Sequence, residues 1–192
     1  GSGKSTLLNL IGALDLPTSG AILFEGADLS SVSRKRQSLL RRDRIGFVFQ
    51  NYNLVPVMTA MENAEYVLML RGVDRNERRD RVRALLSEVG LEGLEDRFPR
   101  QLSGGQQQRV AFVRAVVAEP AVVLADEPTA NVDSKTAMGL VELMQKLHEE
   151  RGVTFLMATH DHRVMKRARR LVWLRDGRVV FDGAPGDFEM EA

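Results

Sequence analysis

Five short apolar runs rich in β-branched residues punctuate the chain, at residues 21–24, 45–49, 121–125, 153–158 and 171–174. Each has the length of a strand rather than of a helix. The last is followed, across Asp176-Gly177, by a partner at residues 178–181. Asp-Gly between two apolar runs predicts a two-residue hairpin, because both central positions need positive φ. Between these runs the period changes. Val82, Leu85, Leu86 and Val89 make one helix face in an arginine-rich segment, and Leu140, Val141, Met144 and Leu147 make another. Strands alternating with helices predict an α/β fold whose sheet is mainly parallel at its centre. Residues 60–119 hold no convincing strand and read as a helical subdomain. It is inserted into a core formed by residues 1–59 and 120–192, the whole making a single domain.

Composition narrows the picture only a little. The 192 residues suit one domain with a real core, and 44% hydrophobic with 28% charged residues is ordinary for a globular protein. A net charge of +1 gives no reason to expect nucleic acid as a partner. With no cysteine there is neither a disulfide framework nor a thiolate metal site. No apolar run approaches the roughly 18 residues that span a bilayer.

Candidate chemistry begins at the first residue. Gly1-Ser2-Gly3-Lys4-Ser5-Thr6 runs into a helical segment and reads as the end of a phosphate-binding loop. Glycines let backbone N–H groups close on phosphate oxygens at a helix N-terminus. Lys4 would reach the β- and γ-phosphates and the Ser5 hydroxyl would bind Mg²⁺. The full pattern needs a glycine five residues before Gly3, so the fragment alone competes with a plain glycine-rich terminus. A second element is the run 121–125 followed by Asp126, Glu127 and Pro128. A buried strand there delivers two carboxylates to the edge where α/β sheets bind ligands. Asp126 suits Mg²⁺, and Glu127 is placed to orient an attacking water. An acidic turn after a core strand is the bland alternative, and it weakens beside Lys4. A third element is Leu102-Ser103-Gly104-Gly105-Gln106-Gln107-Gln108-Arg109, before a helix expected over residues 106–119. It is either a second anion-binding helix start or an ordinary serine N-cap, and spacing does not separate the two.

The segment Leu102 to Arg109 resembles the signature sequence of ABC-type ATPases, and the resemblance extends along nearly the whole chain. Gly1, Ser2, Gly3, Lys4, Ser5 and Thr6 resemble the end of the Walker A loop. Gln50 resembles the Q-loop glutamine, and Val122 to Glu127 the Walker B strand with its catalytic glutamate. Asn131-Val132-Asp133 resembles the D-loop, with valine where leucine is usual, and His160 the switch histidine. The resemblance implies a P-loop NTPase fold and an ATPase that uses ATP and Mg²⁺. Two domains would pack head to tail, each ATP lying between Lys4 of one and Ser103, Gly104, Gly105 and Gln106 of the other. Glu127, His160 and Gln50 would be catalytic, with Ser5, Gln50 and Asp126 at the metal and Asp133 linking the sites. Partners would be a second ATPase subunit and an integral-membrane permease, with the chain peripheral on the cytoplasmic membrane face.

Residues 49–56 and 123–131 resemble the macrolide-exporter and lipoprotein-releasing branch. This implies export or extraction of lipoprotein, peptide or drug-like cargo, or a regulatory mechanotransmitter that moves none. A soluble repair or translation ATPase is disfavoured by the compact stretch from Lys4 to Ser103 and by the single ATPase domain. The resemblance also implies strands before residue 1, and a chain starting within the loop is expected to bind ATP poorly. Basic clusters at residues 34–44, 71–83 and 163–170 read as solvated helix faces, the second being the better candidate for permease contact. Trp173 and most methionines read as core, and His148 and His162 carry no assigned role.

Overall fold

Strand β4, Val122–Asp126, is the centre of the molecule. It pairs in parallel with β3, Ile45–Val48, on one side and with β5, Thr154–Ala158, on the other. Its side chains alternate between two apolar clusters. Val123 and Ala125 enter the larger one, while Leu124 faces a smaller one with Leu8, Ile45 and Ala158. Apolar residues at consecutive positions are thus the mark of a strand covered on both faces. The computed structural model describes residues 2–130 and 132–188. Gly1 and Asn131, two positions of interest in the sequence, lie outside the described residues.

Helix α1, Lys4–Ile11, packs on β4 and β5. On the opposite face lies α5, Gly104–Val116, which packs on β3 as well as on α3, Ala60–Leu70, and α4, Arg75–Glu88. The larger cluster runs unbroken from Leu68, Val82 and Leu86 through Phe112 to Val123 and Met144. The close seat of α5 on the sheet depends on Gly46. A Cβ there would stand 2.3 Å from the Ala115 carbonyl oxygen. Helix α2, Arg34–Arg44, leads into β3, and α6, Ser134–Arg151, connects β4 to β5.

The first expected strand is shorter than its apolar run. Only β1, Leu23–Phe24, pairs, antiparallel with β2, Ala27–Asp28, because Glu25 and Gly26 turn the chain with φ of 49° and 80°. The signature helix starts at Gly104, two residues before its expected start, because Ser103 caps it. It stops at Val116, ahead of a left-handed Glu119 that precedes Pro120. The hairpin β6, Leu171–Arg175, with β7, Arg178–Gly183, turns at Asp176 and Gly177, both at positive φ. Trp173 meets Phe188 in a tilted ring contact, centroids 4.7 Å apart, over this hairpin.

The second basic cluster is not a uniformly solvated face. Arg71 turns inward, and its guanidinium donates to the carbonyls of Arg42, Asp43 and Ala118 at 2.6–3.3 Å. Burial lowers the pKa of Arg71, a shift partly opposed by Asp43. Arg78 donates to the buried Glu65 at 2.8 Å. Among the described residues no helix is long and apolar enough to cross a membrane.

Candidate nucleotide site

Parallel pairing brings the carboxyl ends of β3, β4 and β5 to one edge, and the candidate residues follow those ends directly. Gln50 stands two positions beyond β3, Asp126 ends β4 opposite Ala158, and His160 stands two positions beyond β5. Glu127 begins the turn after β4. Its N–H donates to the Ala158 carbonyl at 2.8 Å, and its backbone is left-handed with φ 47°. A non-glycine residue held there is strained, as site residues often are. Glu127 Oε1 lies 2.9 Å from His160 Nδ1. A carboxylate only accepts, so Nδ1 carries the hydrogen of this bond. Glu127 is 14% exposed and His160 78%, so the pair joins a sheltered carboxylate to an open imidazole.

The glycine loop sits at the start of α1, the helix lying on the two strands that deliver this pair. Gly3 caps that helix with φ 91°. Lys4 Nζ donates to Ser2 Oγ at 2.9 Å, while Ser5 and Thr6 are exposed on the first turn. The hairpin turn flanks the loop, Gly177 N–H donating to the Ser2 carbonyl at 3.2 Å.

Ser103, Gly104, Gly105 and Gln106 stand apart from this group. Ser103 Oγ accepts from Gln106 N–H at 3.3 Å, and the Gln106 side chain accepts from Ser103 N–H at 2.8 Å, a reciprocal cap. Among the described residues no hydrogen bond or ion pair joins them to Gly3, Lys4, Ser5 or Thr6. Gly105 instead faces Val132, 3.5 Å from where its Cβ would be. Asp133 caps α6, accepting from the Thr136 hydroxyl at 2.6 Å and from the N–H groups of Thr136 and Lys135 at 3.0 Å. The Thr136 hydroxyl is the first of the causes that lower its pKa.

Sequence reasoning missed three polar residues around the site. Gln108 is 2% exposed and donates to the Pro128 carbonyl at 2.8 Å, tying α5 to the turn after Glu127. Arg114 reaches from the same helix to the loop after Gln50, donating to the carbonyls of Asn53 and Tyr52 at 2.6 and 2.8 Å. Asn63, 1% exposed, holds the end of that loop through the N–H and carbonyl of Val55. One signal was available: an arginine inside the apolar stretch 110–118 has to be buried or reach across it.

Oxygen donors at Ser5, Gln50 and Asp126 suit a hard cation such as Mg²⁺. Among the described residues no group of three His, Asp or Glu could hold a metal by itself. Such a donor set fits an ion bound partly through substrate phosphates, as Mg²⁺ commonly is.

A parallel sheet whose carboxyl edge carries paired carboxylates beside a glycine-capped Lys-Ser helix defines a nucleoside-triphosphatase of the P-loop class. A family model described as "ABC transporter" matches residues 1–130. The chain is 47% identical over 190 residues to the macrolide export ATP-binding/permease protein MacB of Syntrophobacter fumaroxidans, covering 97% of this chain and 27% of that protein. It is 43% identical over 180 residues to the lipoprotein-releasing system ATP-binding protein LolD of Bordetella avium, covering 94% of this chain and 78% of that one. The dimeric ATP-binding cassette MJ0796, solved in a post-hydrolysis state with ADP and Pi, superposes with a TM-score of 0.91 at 42% identity. That match covers 97% of this chain and 82% of the other. The chain belongs to the ABC transporter family, and it is an ATP-binding ATPase domain of that family.

Proposed function

We propose that this domain hydrolyses ATP at the interface of two copies packed head to tail, and so powers a membrane permease that exports or extracts its cargo. The observation that carries the reading is the Glu127–His160 pair, 2.9 Å apart at the carboxyl edge of the strands on which the Lys4 helix lies. Lys4 and the N–H groups of Ser2, Gly3, Ser5 and Thr6, with Gly1, hold the phosphates. Glu127 orients and polarises the attacking water, while His160 meets the γ-phosphate and keeps Glu127 in place. Gln50 positions the water from the neighbouring strand end. Mg²⁺, held by Ser5, Gln50 and Asp126, would neutralise charge on the phosphates. The chemistry is therefore positioning and electrostatic stabilisation of in-line attack.

The separation of Ser103, Gly104, Gly105 and Gln106 from the chain's own glycine loop supports a shared site. The Gly104 and Gly105 N–H groups, which the reciprocal cap between Ser103 and Gln106 does not use, face the ATP held by the partner subunit, and Asp133 links the two sites. The dimeric state of MJ0796 supports the same arrangement. Residues 60–119 act as a helical subdomain carried on the sheet by α5. A cavity of about 400 Å³ between it and the sheet, lined by Phe49, Tyr66, Leu70 and the basic Arg42 and Arg71, is the seat proposed for the permease. Attachment there would keep the domain at the cytoplasmic face. The names of MacB and LolD support macrolide-like or lipoprotein cargo.

The test is the solution mass of a Glu127→Gln variant with and without Mg²⁺-ATP. Blocking hydrolysis while sparing binding should convert monomer to dimer when ATP is added. A full-length variant that binds ATP yet stays monomeric at all concentrations would refute the shared site.

A further inference from the structure

The loop after Gln50 is held in a conformation that its own residues disfavour. Tyr52 and Asn53 are consecutive and both left-handed, with φ of 60° and 48°. Asparagine tolerates that region, but tyrosine seldom enters it, and two in succession persist only where neighbours over-determine them. The loop's own bonds are few: Tyr52 N–H reaches the Phe49 carbonyl at 3.1 Å and Asn53 N–H the Asn51 carbonyl at 2.5 Å. Asn63 grips the far end, donating to the carbonyls of Val55, Met58 and Thr59 at 3.0–3.1 Å. Leu54 packs on the larger apolar cluster, and the backbone of the middle is held from outside by hydrogen bonds from Arg114. Its two terminal nitrogens each take one of the two left-handed carbonyls.

The guanidinium suits this task. Its fork presents two coplanar donors, whereas a lysine offers one point charge. Among the described residues no carboxylate pairs with Arg114, and burial pushes its pKa below the usual arginine value. A half-buried cation spent on two backbone carbonyls, with no described carboxylate beside it, is costly unless holding them matters. Arg114 also belongs to α5, whose first residues follow Ser103. The helix start proposed to meet the partner's ATP is thus rigidly joined to the loop that leaves Gln50.

We infer that Arg114 is the positioning residue for Gln50: its guanidinium keeps the loop 51–54 in the strained form that sets Gln50 at the sheet edge. This rests on the reading of Gln50 as a site residue. Losing Arg114 lets Tyr52 and Asn53 relax, and Gln50 moves with them.

The experiment measures ATP turnover and amide hydrogen exchange in the full-length protein carrying Arg114→Met, Arg114→Lys, Tyr52→Gly, Gln50→Ala, or Arg114→Met with Tyr52→Gly. Arg114→Met should lower kcat roughly 10- to 100-fold with KM for ATP within about twofold, the loss expected when a site group shifts by about 1 Å. Exchange at residues 51–54 should rise. Arg114→Lys should fall between, and it carries the test if the methionine variant does not fold. Tyr52→Gly alone should stay within about twofold of the parent. In the Arg114→Met background it should restore kcat about fivefold, because glycine occupies without penalty the left-handed region that tyrosine disfavours. A purely structural role for Arg114 would give no such rescue. Turnover of Arg114→Met within twofold of the parent, with Gln50→Ala impaired, overturns the proposal, as does lost turnover with unchanged loop exchange and no rescue. Unimpaired Gln50→Ala would sink the reading of Gln50 itself, while loop exchange would still report whether Arg114 holds the segment.

Discussion

Gly46→Ala tests how closely the signature helix is seated on the sheet. The added methyl would lie 2.3 Å from the Ala115 carbonyl oxygen, 3.1 Å from its carbon and 3.2 Å from Val123 Cγ2. An acceptable carbon–oxygen contact is about 3.3 Å, so the α5 backbone would have to recede by about 1 Å. No side-chain rotation relieves this, because the obstacle is main chain within a helix packed on both the sheet and α3. Overpacking costs typically 1–3 kcal/mol, and a clash with backbone belongs at the upper end. Replacing a strand glycine with alanine returns about 0.5–1 kcal/mol. The net expectation is a loss of about 2–2.5 kcal/mol, or roughly 4–10 °C in Tm for a domain of this size. Gly12→Ala is the control. Its methyl would meet the Phe47 ring at 2.6 Å and Leu124 Cδ1 at 3.1 Å, but these obstacles are side-chain ends, which can shift where main chain cannot. Gly12 has an ordinary φ of −76°, so the substitution should cost no more than about 1 kcal/mol. Thermal and urea unfolding of both variants decides the matter. Equal and small losses would mean that α5 does not sit against β3 as described.

Other expectations can be checked alongside. Arg71→Met should cost about 2–4 kcal/mol in urea unfolding, because it leaves the carbonyls of Arg42, Asp43 and Ala118 without their half-buried donor, and Arg71→Lys should recover less than half. The Arg163 guanidinium holds the Asp161 carboxyl down at about 2. A depressed carboxylate stabilises the fold above its ordinary value of 3.8 and loses that contribution as pH falls towards 2. Asp161→Asn should therefore lower Tm at neutral pH, and the difference from the parent should close between about pH 4 and pH 2, in scans across that range. A gap that persists at pH 2 would assign the loss to helix capping instead.

Much of this was written into the chain at short range. Consecutive apolar residues in β4 marked a strand buried on both faces, and Asp176-Gly177 marked the β6–β7 hairpin, because strand burial and turn chemistry depend on a few adjacent residues. Asp126 and Glu127 were legible because a buried strand delivers its last residues to the ligand-binding edge of a parallel sheet, whereas Gln50 and His160 were read only through the resemblance to ABC-type ATPases. What neighbours in sequence could not reveal was which distant groups meet. The 2.9 Å approach of Glu127 to His160 needed the register of β4 against β5. The inward turn of Arg71 was hidden in a run of arginines that otherwise reads as a solvated face. Arg114 and Gln108 looked like incidental polar residues on a helix. Their roles appeared only when α5 was laid against β3, with Arg114 reaching the loop after Gln50 and Gln108 the turn after Glu127. The sequence by itself determined the elements, the family and the chemical groups at the sheet edge, since each is encoded locally. Tertiary structure alone decided how those groups are held, because the holding bonds join residues 20 to 62 positions apart, a separation no local pattern can carry.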